Sequence, residues 1–115
     1  NTANGTTSLY SNTTGSNNIA NGTNSLYSNT TGDDNIANGT NSLYYNTTGS
    51  SNSANGSHSL FNNITGSNNT AIGTQSAYQI VTTGGTTPNT TIGYQALFGG
   101  SGTASANTAY DNVAI

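Results

Sequence analysis

Four side chains in this sequence are carboxylates or imidazoles: Asp33, Asp34, Asp111 and His58. Two adjacent carboxylates could bind a cation or share a proton. However, Asp33 and Asp34 fall in a loop where sister units carry Ser or Asn, and a calcium-binding β-roll requires Asp in every repeat. His58 stands where other units have Thr7, Asn24, Asn41 and Gln75, which marks an outward polar position. The Gly-Gly segments lack the Lys and the strand-to-helix context of a phosphate loop, and no hydroxyl has a base repeated beside it. No catalytic, cofactor-binding or metal-ligating residue is assigned on this pattern, and the chain reads as a non-enzyme.

One chemical pattern does repeat in phase. Asn followed two places later by Ser or Thr occurs at Asn4, Asn12, Asn21, Asn29, Asn38, Asn46, Asn55, Asn63, Asn68 and Asn89. These are N-glycosylation acceptor patterns in a host with the machinery. A chain this rich in Ser and Thr produces such triplets by chance. Asn and Thr ladders inside a repeat fold are the plainer explanation, although recurrence near two corners per unit favours glycans as partners.

The elements that must position these residues follow from composition. Of 115 residues, 30% are hydrophobic and 3% charged, far from the mix of an ordinary globular domain. Disordered chains usually carry high net charge, and here it is −3. Lys and Arg are absent, so phosphate-rich partners are excluded and no nucleic acid is expected. The same absence removes attraction to an anionic membrane surface. No apolar run is long enough for a transmembrane helix, so membrane insertion is not expected. Without Cys there is neither a disulfide framework nor a thiolate metal site. Trypsin has nowhere to cut, which suits an extracellular life.

A polar, uncharged, repetitive chain points to a repeat array. Units begin at Asn1, Asn18, Asn35, Asn52 and Asn69, then at Asn89, with a partial unit from Asn112. The segments "VTTGGTTP" and "GGSGTASANTAYD" read as longer loops on the same scaffold, since loop insertions cost little free energy. The single array spans residues 1–115 and is expected to continue in the native protein. Ala3, Ala20, Ala37, Ala54 and Ala71 share a column, as do Leu9, Leu26, Leu43, Leu60 and Leu97, with Ala77 in place of the remaining Leu. An aromatic column, Tyr10, Tyr27, Tyr44, Phe61, Tyr78 and Phe98, runs beside the Leu column.

Helix is excluded by Gly, Thr and Asn content and by the lack of a continuing three- or four-residue apolar spacing. Each 17-residue unit is expected to supply two or three short strands. Corners are expected at the Asn-Gly pair and at the "TTG" segment, where positive φ is easiest for Gly and Asn. The fold class is all-β: a parallel β-solenoid or β-roll of about six coils stacked about 4.8 Å apart.

The stretches "NTAIG" at Asn69 to Gly73, "NTTIGYQAL" at Asn89 to Leu97 and "NVAI" at Asn112 to Ile115 resemble the head repeats of trimeric autotransporter adhesins, and similar repeats occur in phage-type tail fibres. The resemblance covers essentially the whole chain, although the unit here is a few residues longer than the adhesin unit. It implies a left-handed β-roll, three chains packed on a three-fold axis and an extracellular, cell-surface or virion location.

Energetics also argue for self-association. Ordering a coil costs about 1–2 kcal/mol per residue, while one buried Leu and one Tyr return roughly 1.5–3 kcal/mol each. If Leu and Tyr alternate on an extended strand and Leu faces inward, the aromatic column lies outside as a stripe, and such stripes become interfaces. Tyr10, Tyr27, Tyr44, Phe61, Tyr78 and Phe98 are therefore the expected interface of a homotrimer or helical filament. The expected function is a structural repeat module of an extracellular or virion fibre. The alternative is an ice-binding solenoid using the Thr14, Thr31, Thr48, Thr65 and Thr82 column flanked by Thr13, Thr30 and Thr47, with Ile64 and Val81 interrupting. A third reading is glycan binding by exposed Tyr and Asn.

Overall fold

The structure, a computed structural model, describes residues 1–80, 88–99 and 113–115. It is a parallel β-solenoid with no helix among the described residues. Its strands are β1 (Thr2–Asn4), β2 (Ile19–Asn21), β3 (Ile36–Asn38), β4 (Ser53–Asn55), β5 (Thr70–Ile72), β6 (Thr90–Ile92) and β7 (Val113–Ala114), paired in chain order in one sheet. Ala3 pairs with Ala20, Ala20 with Ala37, Ala37 with Ala54 and Ala54 with Ala71, so the 17-residue phase of the sequence is the coil repeat. The sheet continues unbroken through Thr70 to Thr90 and Thr90 to Val113. The strand register is therefore kept across the two longer units. The inserted segments themselves, with Asp111 and Asn112, lie outside the described residues.

Among the described residues each coil has one strand, of three residues in β1 to β6 and two in β7, and not two or three strands. The remainder is a chain of turns that bonds coil to coil, as in Leu26 N–H to Ser42 O at 3.0 Å and Ser28 N–H to Tyr44 O at 3.0 Å. The Leu–Tyr segment is part of this turned region. Leu26, Leu43 and Leu60 sit at φ 50, with Asn24, Asn41 and His58 two residues earlier at φ 57 to 58. Left-handed backbone at a residue with a Cβ costs about 1–2 kcal/mol. Repeating it in every coil requires compensation from packing.

That compensation is visible inside the coil. Leu26, Leu43, Leu60, Ala20, Ala37, Ala54 and Ala71 are fully buried in one apolar column, with Leu9 and Leu97 packed against its ends. Leu does face inward, but the cause is left-handed φ and not strand alternation. Ser25, Ser42 and Ser59, immediately before Leu, are buried as well, each hydroxyl donating to the Gly carbonyl three residues back at 2.9 to 3.0 Å. In the coil where Ala77 replaces Leu, Ile80 is buried in the same apolar cluster, and in the next coil buried Thr91 takes the place of the strand Ala. The Thr91 hydroxyl accepts from Ser76 Oγ at 2.7 Å.

Half of the interior is amide. Asn18, Asn35, Asn52 and Asn69 form one buried column and Asn29, Asn46 and Asn63 another. Between them the "TTG" glycine points its carbonyl inward. Gly32 O accepts from Asn18 Nδ2 at 2.7 Å and Asn29 Nδ2 at 3.0 Å, and Gly49 O from Asn35 at 2.8 Å and Asn46 at 2.9 Å. Where the next coil also carries Asn, the Oδ1 accepts from it, as Asn18 Oδ1 does from the backbone and side-chain nitrogens of Asn35. Buried amides are costly unless satisfied, and here one residue type supplies both donor and acceptor in every coil.

The corner glycines have two different jobs. Gly22 and Gly39 of the Asn-Gly pairs do adopt positive φ, 132 and 135. Gly32 and Gly49 do not: their neighbour two residues on, Asp34 or Ser51, carries the positive φ instead. What Gly49 supplies is space, because a Cβ there would overlap Gly66 O and Asn46 Oδ1.

Candidate functional site

The surface features suggested by the sequence are sorted by the coil into separate columns. The aromatic column is outside the apolar core and continuous: Tyr10–Tyr27, Tyr27–Tyr44, Tyr44–Phe61, Phe61–Tyr78 and Tyr78–Phe98 stack with centroids 5.0 to 5.3 Å apart. The rings cover one another's faces, so what the stack presents to solvent is mainly ring edges. Tyr27, Tyr44, Phe61, Tyr78 and Phe98 are half-buried, and Tyr10 is 68% exposed. Tyr45 extends the ribbon sideways, edge-on to Tyr44 and Phe61 at 4.7 and 5.2 Å. A sugar ring stacking on this ribbon would need free aromatic faces, which parallel self-stacking removes at inner positions.

His58 belongs to a polar ladder along the side of the ribbon. Thr7 Oγ1 donates to Asn24 Oδ1, Asn24 Nδ2 to Asn41 Oδ1 at 3.0 Å, and Asn41 Nδ2 lies 3.0 Å from His58 Nε2. His58 Nδ1 faces Ser57 Oγ at 2.9 Å, and the ring packs near Phe61. The imidazole is half-buried and replaces an amide in the ladder, so it is less outward than its column of Thr, Asn and Gln suggests.

Asp33 and Asp34 diverge. Asp34 is exposed at φ 56, whereas the Asp33 carboxylate accepts from Ser16 N–H at 2.7 Å and Ser16 Oγ at 2.9 Å. The backbone bond first, and the hydroxyl second, hold the Asp33 pKa below the ordinary carboxylate range, against a small opposing effect of burial. A depressed folded-state pKa contributes stability above the unfolded pKa that is lost as pH falls through the folded one. Asp33→Ser should therefore flatten the acid side of the stability profile, losing at neutral pH what the charged carboxylate contributes and matching the parent protein once acid has protonated it. Thermal melts of both proteins at neutral pH and below the carboxylate range check this. Among the described residues no three His, Cys, Asp or Glu side chains gather in one place.

The ten acceptor-pattern asparagines split into two sets. Asn29, Asn46, Asn63 and Asn89 are buried, and Asn12 heads the same amide column as Asn29, its Oδ1 accepting from Asn29 Nδ2 at 2.8 Å. A glycan on any of these five has no room in the folded coil. Asn4, Asn21, Asn38 and Asn55 lie on the outer face of the strands and Asn68 is exposed, so only these five positions can carry sugar without opening the fold.

The Thr columns also divide. Thr13, Thr30 and Thr47 use their hydroxyls within the solenoid, donating to Thr30 O, Thr47 O and Ile64 O at 2.8, 3.0 and 3.0 Å. Thr14, Thr31 and Thr48 are exposed and Thr65 is half-buried. Thr82 and Val81 lie outside the described residues. The flanking hydroxyls are thus turned to the protein backbone instead of a water lattice.

Sequence reasoning missed a second outer surface. On the strands, the residues flanking the buried Ala face out: Ile19 and Ile36, each 38% exposed, with Thr2, Ser53, Thr70 and Thr90 in one column, and Asn4, Asn21, Asn38, Asn55, Ile72 and Ile92 in the other. The period-two pattern of "IAN" and "TAI" carries that signal. Among the described residues no helix is long and apolar enough to cross a membrane. Comparison with protein-family models, curated proteins and solved structures finds no match.

Proposed function

We propose that this chain is a structural, non-catalytic repeat module of an extracellular or virion fibre or filament. Its partner is a second copy of itself, in a homotrimer or a helical filament. The observation that carries this reading is the aromatic ribbon: rings stacked in register along the solenoid on the outside of a core already filled by Leu, Ala and Asn. A continuous apolar stripe of this kind normally marks an interaction surface. The Thr columns lend less support to ice binding, because the flanking hydroxyls are spent on backbone carbonyls.

The test is assembly. Sedimentation and electron microscopy should show trimers or rods, and isolated monomers at every concentration would overturn the reading. Tyr27→Ser combined with Tyr44→Ser should weaken association at least about tenfold, since each buried ring contributes on the order of 1–3 kcal/mol. The β-type circular dichroism of each chain should persist. Full assembly with unfolded coils would instead place the aromatic column in the role of the core.

A further inference from the structure

The strand face carries a reactive pattern that the fibre reading does not use. Four units present Asn followed by Gly: Asn4–Gly5, Asn21–Gly22, Asn38–Gly39 and Asn55–Gly56. In an open peptide this pair is the most readily deamidated, because a residue without Cβ leaves its nitrogen free to reach the preceding side chain. The Gly nitrogen loses its proton and attacks Asn Cγ, forming a five-membered succinimide, and the side-chain nitrogen leaves as ammonia. Water then opens the ring at either carbonyl, giving aspartate or isoaspartate. No oxidant or cofactor is consumed.

The coil restrains both nitrogens of this reaction. Gly22 N–H donates to Asn4 O at 2.7 Å, and Gly39 N–H and Gly56 N–H donate to Asn21 O and Asn38 O, each at 2.8 Å. The nucleophile is therefore held by the preceding coil. The leaving group is held by the following one, with Asn4 Nδ2 donating to Asn21 Oδ1 at 2.9 Å, Asn21 to Asn38 at 2.8 Å and Asn38 to Asn55 at 2.8 Å. One position differs: Asn55 Nδ2, facing Ile72 in the next coil, donates to Ser53 Oγ of its own coil at 3.2 Å.

We propose that the four Asn–Gly pairs form a latent deamidation column, kept as amides by coil stacking, whose conversion marks and loosens coils that have opened. Aspartate at position 21 could still accept from Asn4 but could not donate to Asn38. Two neighbouring conversions would set carboxylates one coil rise apart in a chain with no Lys or Arg to neutralise them. Isoaspartate would add a methylene to the backbone of a three-residue strand. Stacking suppresses the reaction, and the reaction undermines stacking.

The test is site-resolved mass spectrometry of the whole chain after mild alkaline incubation, folded and in denaturant. Chymotrypsin replaces trypsin for the digest. In the folded protein Asn55 should convert faster than Asn21 and Asn38, and these two at least about tenfold more slowly than in denaturant, because reaction there waits on local opening. In denaturant the four rates should converge. Equal rates for Asn21 and Asn38 in the two conditions, or an Asn55 no faster than Asn21 in the folded chain, overturn the proposal. Asn38→Asp and the double variant Asn21→Asp, Asn38→Asp test the second half. The double should lower the melting temperature by more than twice the single shift at neutral pH and recover when acid protonates the carboxylates, whereas unchanged melting overturns the loosening.

Discussion

Leu43→Asp is expected to lower the stability of the fold by about 4 kcal/mol or more, while His58→Gln leaves it almost untouched. Leu43 is fully buried between Leu26 and Leu60, in an apolar column that offers a carboxylate no cation. Substitution removes the transfer free energy of a buried Leu and forces a charge, or a proton taken up against its ordinary pKa, into that column. Together these cost about 4 kcal/mol or more, against a total stability of roughly 5–15 kcal/mol for a domain. An Asp at φ 50 is not itself the difficulty, since Asp tolerates left-handed backbone better than Leu does. The loss is one of burial. At position 58, Gln supplies the amide that Gln75 already places in the same ladder, at the same positive φ. Its effect should stay within about 0.5 kcal/mol. Urea titration followed by circular dichroism checks both, and similar midpoints for the two variants would show that the columns are misassigned.

Gly49→Ala should be nearly as damaging, although it adds one methyl group. The new Cβ would overlap Gly66 O in the next coil and Asn46 Oδ1 in its own, and would meet Asn52 Nδ2 at 3.2 Å. Overlap with backbone oxygen cannot be relieved by a rotamer change. The coils must part or the Gly49 carbonyl must turn, releasing the bonds from Asn35 and Asn46. Overpacking costs about 1–3 kcal/mol and each unsatisfied buried amide about 1–3 kcal/mol, so a loss of roughly 3–5 kcal/mol is expected. Thr48→Ala, one residue earlier and exposed, should change stability by less than about 0.5 kcal/mol. Thermal melts of the pair check this directly.

Much of the architecture was legible because the repeat displays its own phase. The in-register Ala and Leu columns gave the parallel stack, the 17-residue step and the apolar half of the core. Local backbone was harder to read. Leu at positive φ violates its intrinsic preference, and only the surrounding coil makes it favourable, so an extended Leu–Tyr pair was the natural expectation and the strand count came out too high. The amide half of the interior was hidden for a different reason: Asn serves both inside, as Asn18 and Asn29, and outside, as Asn17 and Asn41. Residue type alone cannot separate these.

A usable signal was nevertheless present in the repeats. Columns that prove buried hold one residue through the first four units, as with Asn12, Asn29, Asn46 and Asn63 or Ser8, Ser25, Ser42 and Ser59. Several outer columns wander, as with Ser11, Ser28, Tyr45 and Asn62 or Asn17, Asp34, Ser51 and Asn68, although the outer Asn4, Asn21, Asn38 and Asn55 and the Thr14, Thr31, Thr48 and Thr65 columns repeat as strictly as the buried ones. The interior must satisfy every amide with its own kind one coil away, so a single departure breaks two coils. The surface can exchange water for any partner.

The central claim is that a ladder of Asn amides, closed on the inward glycine carbonyls, holds the coils together as much as the Leu column does. Hydrogen exchange of the side-chain amides, followed by NMR in the folded protein, tests it most directly. The account predicts that the Nδ2 protons of Asn18, Asn29, Asn35, Asn46 and Asn52 exchange as slowly as the backbone amides of Leu26 and Leu43, while those of exposed Asn17 exchange at the rate of a free amide. Free-amide exchange at Asn29 and Asn46 with the Leu26 and Leu43 backbone still protected would contradict it.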